Sequence, residues 1–278
     1  MTAVVLDGAM GTALMAAGLE PRALPEEWLV DRPEAIVAVH RAHAEAGAQV
    51  VSTCTFNLAG ARLDRSPVRG AVADLARRAV GAARRGAPSA RVAGAVGPAW
   101  LDGDGDGVHG PEWRARHGAA FRALAEAGAD LLWVEGAWRL DEASIALAEA
   151  RATGLPTIVT FGFREDRGAL GAGSGEPAIE CLRRVAVEGA AAVGASCSLP
   201  GSSLAALLAG ARACAPVPLV AKPSAGLPGA VVGPRPFGAW IAALLGAGAA
   251  WVGGCCGATA DHVRACARAA ADVRARRA

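Results

Sequence analysis

A three-residue pattern centred on glycine occurs four times, each time between a helical pattern and a short apolar run. The copies are Ala46-Gly47-Ala48, Ala127-Gly128-Ala129, Glu188-Gly189-Ala190 and Ala247-Gly248-Ala249. Glycine is the usual residue just after a helix, where the backbone turns left-handed. Each interval between these glycines is long enough for two strand–helix units. The pattern therefore predicts a chain in which strands and helices alternate.

The number of apolar runs and helical patterns indicates how many strand–helix units the chain contains. Eight runs predict strands at 4–6, 49–51, 91–96, 130–134, 157–161, 191–193, 219–221 and 250–252. Eight helical patterns cover 33–45, 68–85, 111–126, 140–152, 176–188, 202–214, 236–245 and 260–276. Eight such units in 278 residues predict an α/β fold, a (β/α)8 TIM barrel, as a single domain over 1–278. A doubly wound open sheet is the competing architecture.

Three cysteines follow even-numbered predicted strands. Cys197 follows the sixth strand, and Cys255 and Cys256 follow the eighth within Gly253-Gly254-Cys255-Cys256-Gly257. The flanking glycines let the backbone leave strand geometry, so both adjacent thiols can face one place. In a barrel the ends of alternate strands share a layer, so we expect the three thiols to meet over the mouth. Three thiolates with one open position are typical of a reactive zinc centre.

The simpler interpretation of each cysteine alone is a buried apolar residue. A disulfide between neighbouring cysteines would be strained, and the odd, uneven set of seven cysteines does not suggest a disulfide framework. The remaining cysteines are predicted not to be ligands; they are Cys54, Cys181, Cys214 and Cys266.

Other polar residues also follow predicted strands. Asp7 follows the first strand, Thr53 the second, Glu135 the fourth and Lys222 the seventh. An isolated acid at such a position is as readily a salt-bridge or helix-cap residue as a functional one. Two acids near a metal centre could instead hold an ammonium group.

Composition and charge limit the classes of partner. The net charge is +2, which indicates no nucleic-acid surface, so we expect small-molecule substrates. The uncharged stretch 237–260 is interrupted by glycines, so we expect no membrane span. The N-terminus shows no signal peptide, and thiols stay reduced inside cells, so we expect a cytoplasmic protein. The oligomeric state, including a homo-oligomer, is left open.

Three further features are interpreted as having no role in catalysis. The acidic loop 102–107 opens like a calcium loop but has Trp113 at the twelfth position, where glutamate is needed. The basic segment 268–277 is interpreted as the solvated end of the last helix. The histidines show no close ligand pair and are interpreted as helix-surface or loop residues; they are His40, His43, His109, His117 and His262.

Five motifs, in order, resemble those of the homocysteine S-methyltransferases over nearly the whole chain. They are Asp7-Gly8-Ala9-Met10-Gly11-Thr12, Thr53-Cys54-Thr55-Phe56, Gly194-Ala195-Ser196-Cys197, Pro223-Ser224-Ala225-Gly226-Leu227-Pro228 and Gly253-Gly254-Cys255-Cys256-Gly257. The resemblance implies a barrel with zinc held by Cys197, Cys255 and Cys256. It also implies that Asp7 and Glu135 are catalytic and bind the homocysteine amino group. Further substrate-binding candidates are Gly8, Thr53, Ser196 and Trp100.

The chain departs from the family pattern at several positions. Asparagine is usual in the family where this chain has Ser196 and Ser224, and frequent where it has Cys54. Gly136 replaces the usual threonine, and the donor-side loop has Gly97-Pro98-Ala99-Trp100 in place of tyrosines. The three cysteines are intact, so these departures concern the methyl donor and the thiol acceptor rather than zinc.

The resemblance implies thiol alkylation, in which zinc favours the thiolate and the protein aligns it with a methyl group. A sulfonium donor, S-methylmethionine or S-adenosylmethionine, is expected, with homocysteine converted to methionine. One alternative is a relative that methylates another thiol or selenol. The other is a zinc- or thiol-binding barrel without turnover, or a subunit that needs a separate methyl-carrying partner.

Aromatic residues after strands two to four predict where the donor enters. Phe56, Trp100, Trp113 and Trp138 follow these strands, with Asp102, Asp104 and Asp106 nearby in sequence. Aromatic faces attract onium cations, and the methyl group must approach opposite the bound sulfur. Trp100 is the first candidate because it directly follows the turn after strand three. The alternative is that these rings only pack the loops against the barrel.

Overall fold

The computed structural model describes residues 3–99, 110–166, 168–197, 199, 201–227 and 229–276. Eight of its strands, labelled β1 to β8, form one sheet: Val4–Val5, Val50–Ser52, Arg91–Val96, Leu131–Ala137, Thr157–Phe161, Ala192–Cys197, Leu219–Pro223 and Ala249–Val252. The helices that follow them, labelled α1 to α8, are Pro33–Glu45, Val72–Gly86, Gly110–Glu126, Leu140–Arg151, Ala178–Val187, Gly201–Ala211, Pro234–Gly246 and Ala260–Ala275.

The sheet is parallel throughout and runs in chain order from β2 to β8, with β1 beside β8. A parallel bridge between Leu6 and Val50 joins its two ends, and Gln49 N donates to Val5 O at 2.8 Å. The ring of strands therefore closes into a barrel. The predicted single-domain (β/α)8 fold is confirmed, and the open doubly wound sheet is excluded.

Two apolar layers hold the barrel together. Inside the ring, Leu6, Val50, Trp133, Ile158 and Val220 pack with small residues from neighbouring strands. Outside it, a larger cluster fills the space between the sheet and the helices. Burial on both faces explains why the strand sequences are continuous Val, Ala, Leu and Ile runs rather than alternating ones.

The glycines of the repeated pattern lie where the sequence predicts. All four have positive φ angles, from 89° to 110°, just after a helix and before a strand. An L-residue with a side chain is strained in this left-handed region, whereas glycine is not. Each copy of the pattern therefore ends a helix and turns the chain back toward the next strand.

The structure adds short elements that have no repeated signal. They are a helix at Met10–Ala16, helical turns at Pro25–Glu27, Trp28–Asp31 and Ala61–Arg65, and hairpins that pair Arg164–Asp166 with Ala169–Gly171 and Gly226–Leu227 with Ala230–Val231. Most lie in segments that follow a strand, where short length and irregular sequence hide helical or strand periodicity.

Some predicted boundaries are wrong. Helix α2 starts at Val72 rather than 68, and α6 ends at Ala211 rather than 214. Strand β4 continues past Glu135 to Ala137 through a shift in register after Val134. Among the described residues, every helix is too short or too polar to span a bilayer. The uncharged stretch 237–260 contains most of α7 and all of β8.

Candidate metal centre and acceptor pocket

A layer of polar side chains lies directly above the apolar filling of the barrel. Along a strand, residues two apart share a face, so each interior apolar residue is followed two positions later by another interior residue. Trp133 is followed by Glu135, Ile158 by Thr160, and Val220 by Lys222. The local alternation of the strands thus carries polar groups to the carboxyl end of the barrel, where active sites form.

The three predicted cysteines come together at this end. The Sγ atoms of Cys197, Cys255 and Cys256 all lie within 4.8 Å of one another, and those of Cys197 and Cys256 are 3.4 Å apart. Thiolates 2.3 Å from a tetrahedral zinc ion would be about 3.8 Å apart. The trio therefore has the size and the donor chemistry that a zinc ion requires, and all three cysteines are partly accessible.

Backbone geometry aims these thiols at one another. Cys197 has a φ of 72° and is the single non-glycine residue with positive φ in the described part of the chain. Such a conformation is costly for a residue with a side chain and is often found at functional sites. It turns the end of β6 so that its last side chain faces the β8 loop.

Gly257 fixes the other side of the trio. Its φ is 76°, and a Cβ there would overlap the carbonyl oxygen of Gly226. The Cys255 N–H donates to Pro223 O at 2.9 Å, and the Ala225 N–H donates to Cys256 O at 2.8 Å. The paired cysteines are therefore anchored to the loop after β7 through the backbone, which leaves their thiols for other partners.

The thiols differ in acidity. Hydrogen bonds from Cys197 and Cys255 lower the pKa of the Cys256 thiol, while contact with the other two sulfurs raises the pKa of Cys255. One thiolate is thus favoured within the trio. A second and third deprotonation require a positive charge, which a metal ion would supply.

Asp7 and Glu135, the two predicted acids, face the same lysine. Lys222 Nζ lies 3.0 Å from Asp7 Oδ1 and 3.0 Å from Glu135 Oε1, and 4.8 Å from the centre of the Trp133 ring. Lys222 is only 2% exposed. A buried ammonium is stable only when it is paired and hydrogen-bonded. Here Lys222 donates a hydrogen bond to Glu135 and is ion-paired with both carboxylates, while Asp7 Oδ1 accepts no hydrogen bond from the described residues.

Asp7 is also tied to β2. Its Oδ2 accepts hydrogen bonds from both the backbone N–H and the hydroxyl of Ser52, each at 2.7 Å. Burial alone would raise the pKa of Asp7, but the charge of Lys222, the Ser52 hydrogen bonds and His43 in its protonated form outweigh it and lower this pKa. For Lys222, burial is outweighed by the attraction of Asp7 and Glu135, which raises its pKa. The ion pair therefore stays charged at neutral pH.

The other sequence-predicted pocket residues have different surroundings. The Thr53 hydroxyl accepts from Ala95 N at 3.0 Å and lies 2.5 Å from the Thr55 hydroxyl, so it ties β2 to β3. Ser196 lies at the polar layer, with its hydroxyl 3.1 Å from that of Thr160. Gly8 is closely packed, because a Cβ there would be 2.5 Å from Ala258 O.

The predicted donor-side aromatic residues are dispersed. The Phe56 ring packs against Gly97 and is half-buried. Trp113 is buried with the Arg139 guanidinium 5.7 Å from its ring centre, while Trp138 is 39% exposed, beneath Arg164. Trp100 and the acids Asp102, Asp104 and Asp106 lie outside the described residues, as does His109.

The interpretation of the histidines as surface or loop residues is wrong for the four that the structure describes. His40 and His43 are buried on α1, and His43 contributes to the potential at Asp7. His117 Nε2 lies 2.9 Å from Glu142 Oε1, which also accepts from Ala99 N at 2.6 Å. His262 is also buried and caps the start of α8 together with the Thr259 hydroxyl.

Sequence reasoning also missed functional candidates, above all Lys222, which it named without a role. The signal was available, because a single lysine in an apolar run, two residues after an interior valine, must bury its charge. His40 and His43 likewise fall on the apolar face of their helix, at helical spacing from Ile36 and Val37.

The structure is thus a TIM barrel that has three thiols able to hold a metal ion, and two acids ion-paired with a buried lysine, at its mouth. The profile of the family described as homocysteine S-methyltransferase matches residues 4–270. The chain therefore belongs to the homocysteine S-methyltransferase family, and it is a methyltransferase.

Solved structures of similar fold include homocysteine methyltransferases. The homocysteine methyltransferase MmuM from Escherichia coli in its metallated form is 26% identical, with a TM-score of 0.81 and coverage of 96% of each chain. Its oxidized form is 27% identical, with a TM-score of 0.79, covering 98% of this chain and 96% of that one. The carboxyl transferase domain of Rhizobium etli pyruvate carboxylase, in a variant solved with pyruvate, is 15% identical with a TM-score of 0.58, covering 99% of this chain and 48% of that one, a likeness of fold alone.

Proposed function

We propose that this chain is a zinc-dependent enzyme that transfers a methyl group from a sulfonium donor to homocysteine and so forms methionine. The observation that carries the proposal is the convergence of Cys197, Cys255 and Cys256, with Sγ atoms within 4.8 Å of one another at the barrel mouth. Thiolates suit a soft or borderline metal ion, and three of them leave one position for a substrate sulfur. A solved structure of the related Escherichia coli homocysteine methyltransferase is of a metallated form, which supports metal binding by this chain.

Zinc would be held by these three cysteines, with the β6 end and the glycine-flanked β8 loop supplying the ligands. When bound, it favours the deprotonated, nucleophilic form of a thiol ligand at neutral pH. The backbone anchors at Pro223 and Ala225 keep the cysteine pair in place, so the ligand set is largely preorganised.

Glu135 and Asp7 are proposed to act on the acceptor. Glu135 Oε1 is paired with Lys222, while Oε2 accepts no hydrogen bond from any residue that the structure describes. An ammonium group bound at Oε2 would orient the acceptor so that its sulfur points toward the cysteines. Because Gly8 has no side chain, Ala258 O can pack closely against the backbone next to Asp7. The hydroxyl of Ser196 would offer the acceptor a polar contact. Thr53 would act indirectly, by holding β2 against β3.

The donor is proposed to enter over the loops after β2, β3 and β4, opposite the cysteines. Phe56 offers a half-buried ring there, and Trp138 an exposed one, while Trp113 is buried and better suited to packing. Trp100 stays the first candidate for contact with the sulfonium. Replacing Trp100 by Ala is expected to raise the donor KM much more than the homocysteine KM. Equal effects on both substrates would remove the cation site and leave the thiol chemistry intact.

The test is turnover by the purified full chain. Zinc-loaded protein is incubated with homocysteine and, separately, with S-methylmethionine, S-adenosylmethionine or betaine, and methionine is measured. We expect methionine with a sulfonium donor and loss of product in Cys256→Ser. The matched variant Cys214→Ser changes a thiol shortly after the end of α6 and should keep full activity. No methionine with any donor would contradict the proposal.

The alternatives would give other results in the same assay. Methylation of another thiol or selenol, but not homocysteine, would indicate a relative with a different acceptor. Zinc binding without any turnover would indicate a binding barrel or a subunit that requires a methyl-carrying partner. A reduced thiol trio suits a reducing compartment, so we also propose that the enzyme acts in the cytoplasm, in methionine biosynthesis.

A further inference from the structure

The single lysine of the sequence is buried in the acceptor pocket between the two acids. It belongs to β7, and its side chain stands on the Trp133 ring inside the barrel, above the apolar core. All other basic side chains outside the histidines are arginines. A flexible, compact ammonium fits between two carboxylates where the planar guanidinium of arginine would need more room.

Next to Lys222, Asp7 and Glu135 differ in how accessible their oxygens are to a further ligand. Asp7 is 2% exposed, both bonds to its Oδ2 come from Ser52, and its Oδ1 faces Lys222. Glu135 is more accessible, with 12% of its side chain exposed, and only its Oε1 faces the lysine. An incoming ammonium group would therefore reach the accessible Oε2 of Glu135 before the buried Oδ1 of Asp7, which accepts no hydrogen bond from the described residues.

The three charges also determine how many cations the pocket can take. Two carboxylates and one ammonium leave a net charge of −1 in a buried setting. One substrate ammonium balances it to zero, which low-polarity surroundings favour. Without the lysine the same acids would have a net charge of −2, and two carboxylates in one site tend to share a proton. Neighbouring His40 and His43 add no charge at neutral pH, because burial lowers their pKa.

Resting on the proposed function, we propose that Lys222 is a positioning residue that leaves the triad of Asp7, Glu135 and Lys222 with a net charge of −1. It holds Glu135 so that Oε2 faces the acceptor, while its positive charge offsets the negative charge of Asp7. The pocket thereby selects thiols that carry one ammonium group. The acceptor class is a thiol amino acid rather than a simple carboxylated thiol.

The test removes the charge of Asp7 alone and then together with that of Lys222. Acceptors are homocysteine and its des-amino analogue 4-mercaptobutanoate, with one donor and zinc-loaded full chain. The readout is the ratio of kcat/KM for the two thiols. Asp7→Asn makes the triad neutral and is expected to lower this ratio at least about tenfold, which is ~1.4 kcal/mol. Asp7→Asn combined with Lys222→Met restores a net charge of −1 and is expected to recover most of the ratio.

If Lys222 had only a structural role, the double variant should discriminate between the thiols less well than Asp7→Asn, because it lacks two buried partners rather than one. A double variant that discriminates no better than Asp7→Asn therefore overturns the inference. If Asp7→Asn fails to fold, the double variant is compared with the wild type, and loss of discrimination there overturns it as well. A wild type that uses both thiols equally would also overturn it, because the lysine would then occupy the place of the substrate ammonium.

Calorimetric binding of the two thiols to the zinc-loaded chain separates this inference from the proposed function. Wild-type protein that binds homocysteine in preference to 4-mercaptobutanoate, with the same pattern across the variants, supports the role of Lys222 even without turnover. Absence of methionine formation in that protein would count against the proposed function alone. Equal binding of both thiols would count against the role of Lys222 even in an active enzyme.

Discussion

Replacement of Lys222 by Met should destabilise the barrel strongly. Methionine keeps most of the volume of the side chain and its contact with the Trp133 ring, but it removes the ammonium 3.0 Å from both Asp7 and Glu135. Removal of one partner from a buried ion pair typically costs about 3–5 kcal/mol, because a charge stays buried without compensation. At roughly 2–4 °C per kcal/mol for a domain of nearly this size, the Tm should fall by roughly 6–20 °C.

The pH dependence of this loss has a definite sign. In the wild type, the folded-state pKa of Asp7 is lowered from 3.8, so its contribution to stability is present above that value and lost as pH falls through the folded pKa. Without Lys222, the largest influence that opposes burial is gone, and we expect burial to raise this pKa. The variant then loses stability as pH rises. Its deficit relative to the wild type should therefore be larger at pH 8 than at pH 5.

Thermal unfolding followed by circular dichroism at both pH values, with zinc and with a chelator, measures these effects. Arg85→Met is the matched control, because it breaks a 3.0 Å ion pair with Glu34 in which both side chains are more than half exposed. Exposed pairs contribute little, so its Tm should barely change. A Lys222→Met deficit no greater than that of the control, or one that grows as pH falls, would refute the reasoning.

Three more predictions concern the cysteines, the acceptor and the backbone. Cys256→Ser should lose the one zinc ion per chain that metal analysis is expected to find, while Cys266→Ser, at a buried thiol of α8, should retain it; equal zinc in both would disprove the ligand assignment. Glu135→Gln should raise the homocysteine KM with zinc content unchanged, and an unchanged KM would exclude its substrate role. Gly257→Ala should cost at least about 1–2 kcal/mol of stability from the left-handed backbone and should weaken zinc retention; unaltered Tm and zinc binding would contradict the overlap with Gly226 O.

The sequence by itself determined the fold, because its strongest signals are local and repeated. Glycines such as Gly47 and Gly248 end helices at regular places, and apolar runs such as 91–96 and 157–161 coincide with strands of the structure. The order of the predicted strands also places Cys197 after the sixth strand and Cys255 and Cys256 after the eighth. Both are even-numbered strands, whose ends meet over the barrel mouth. Short elements without periodicity, such as the helix at Met10–Ala16, could not be found this way.

Only the tertiary structure decided how the polar residues of the site are paired. Strand order places Asp7, Glu135 and Lys222 at one end of the barrel, but the register between strands and the height of each side chain determine that the lysine lies between the acids. The burial of His43 and the left-handed turn at Cys197 depend in the same way on contacts between distant segments. Local sequence periodicity sets which face a residue takes; the free energy of burying a charge or straining a backbone is set by partners that meet only in the folded chain.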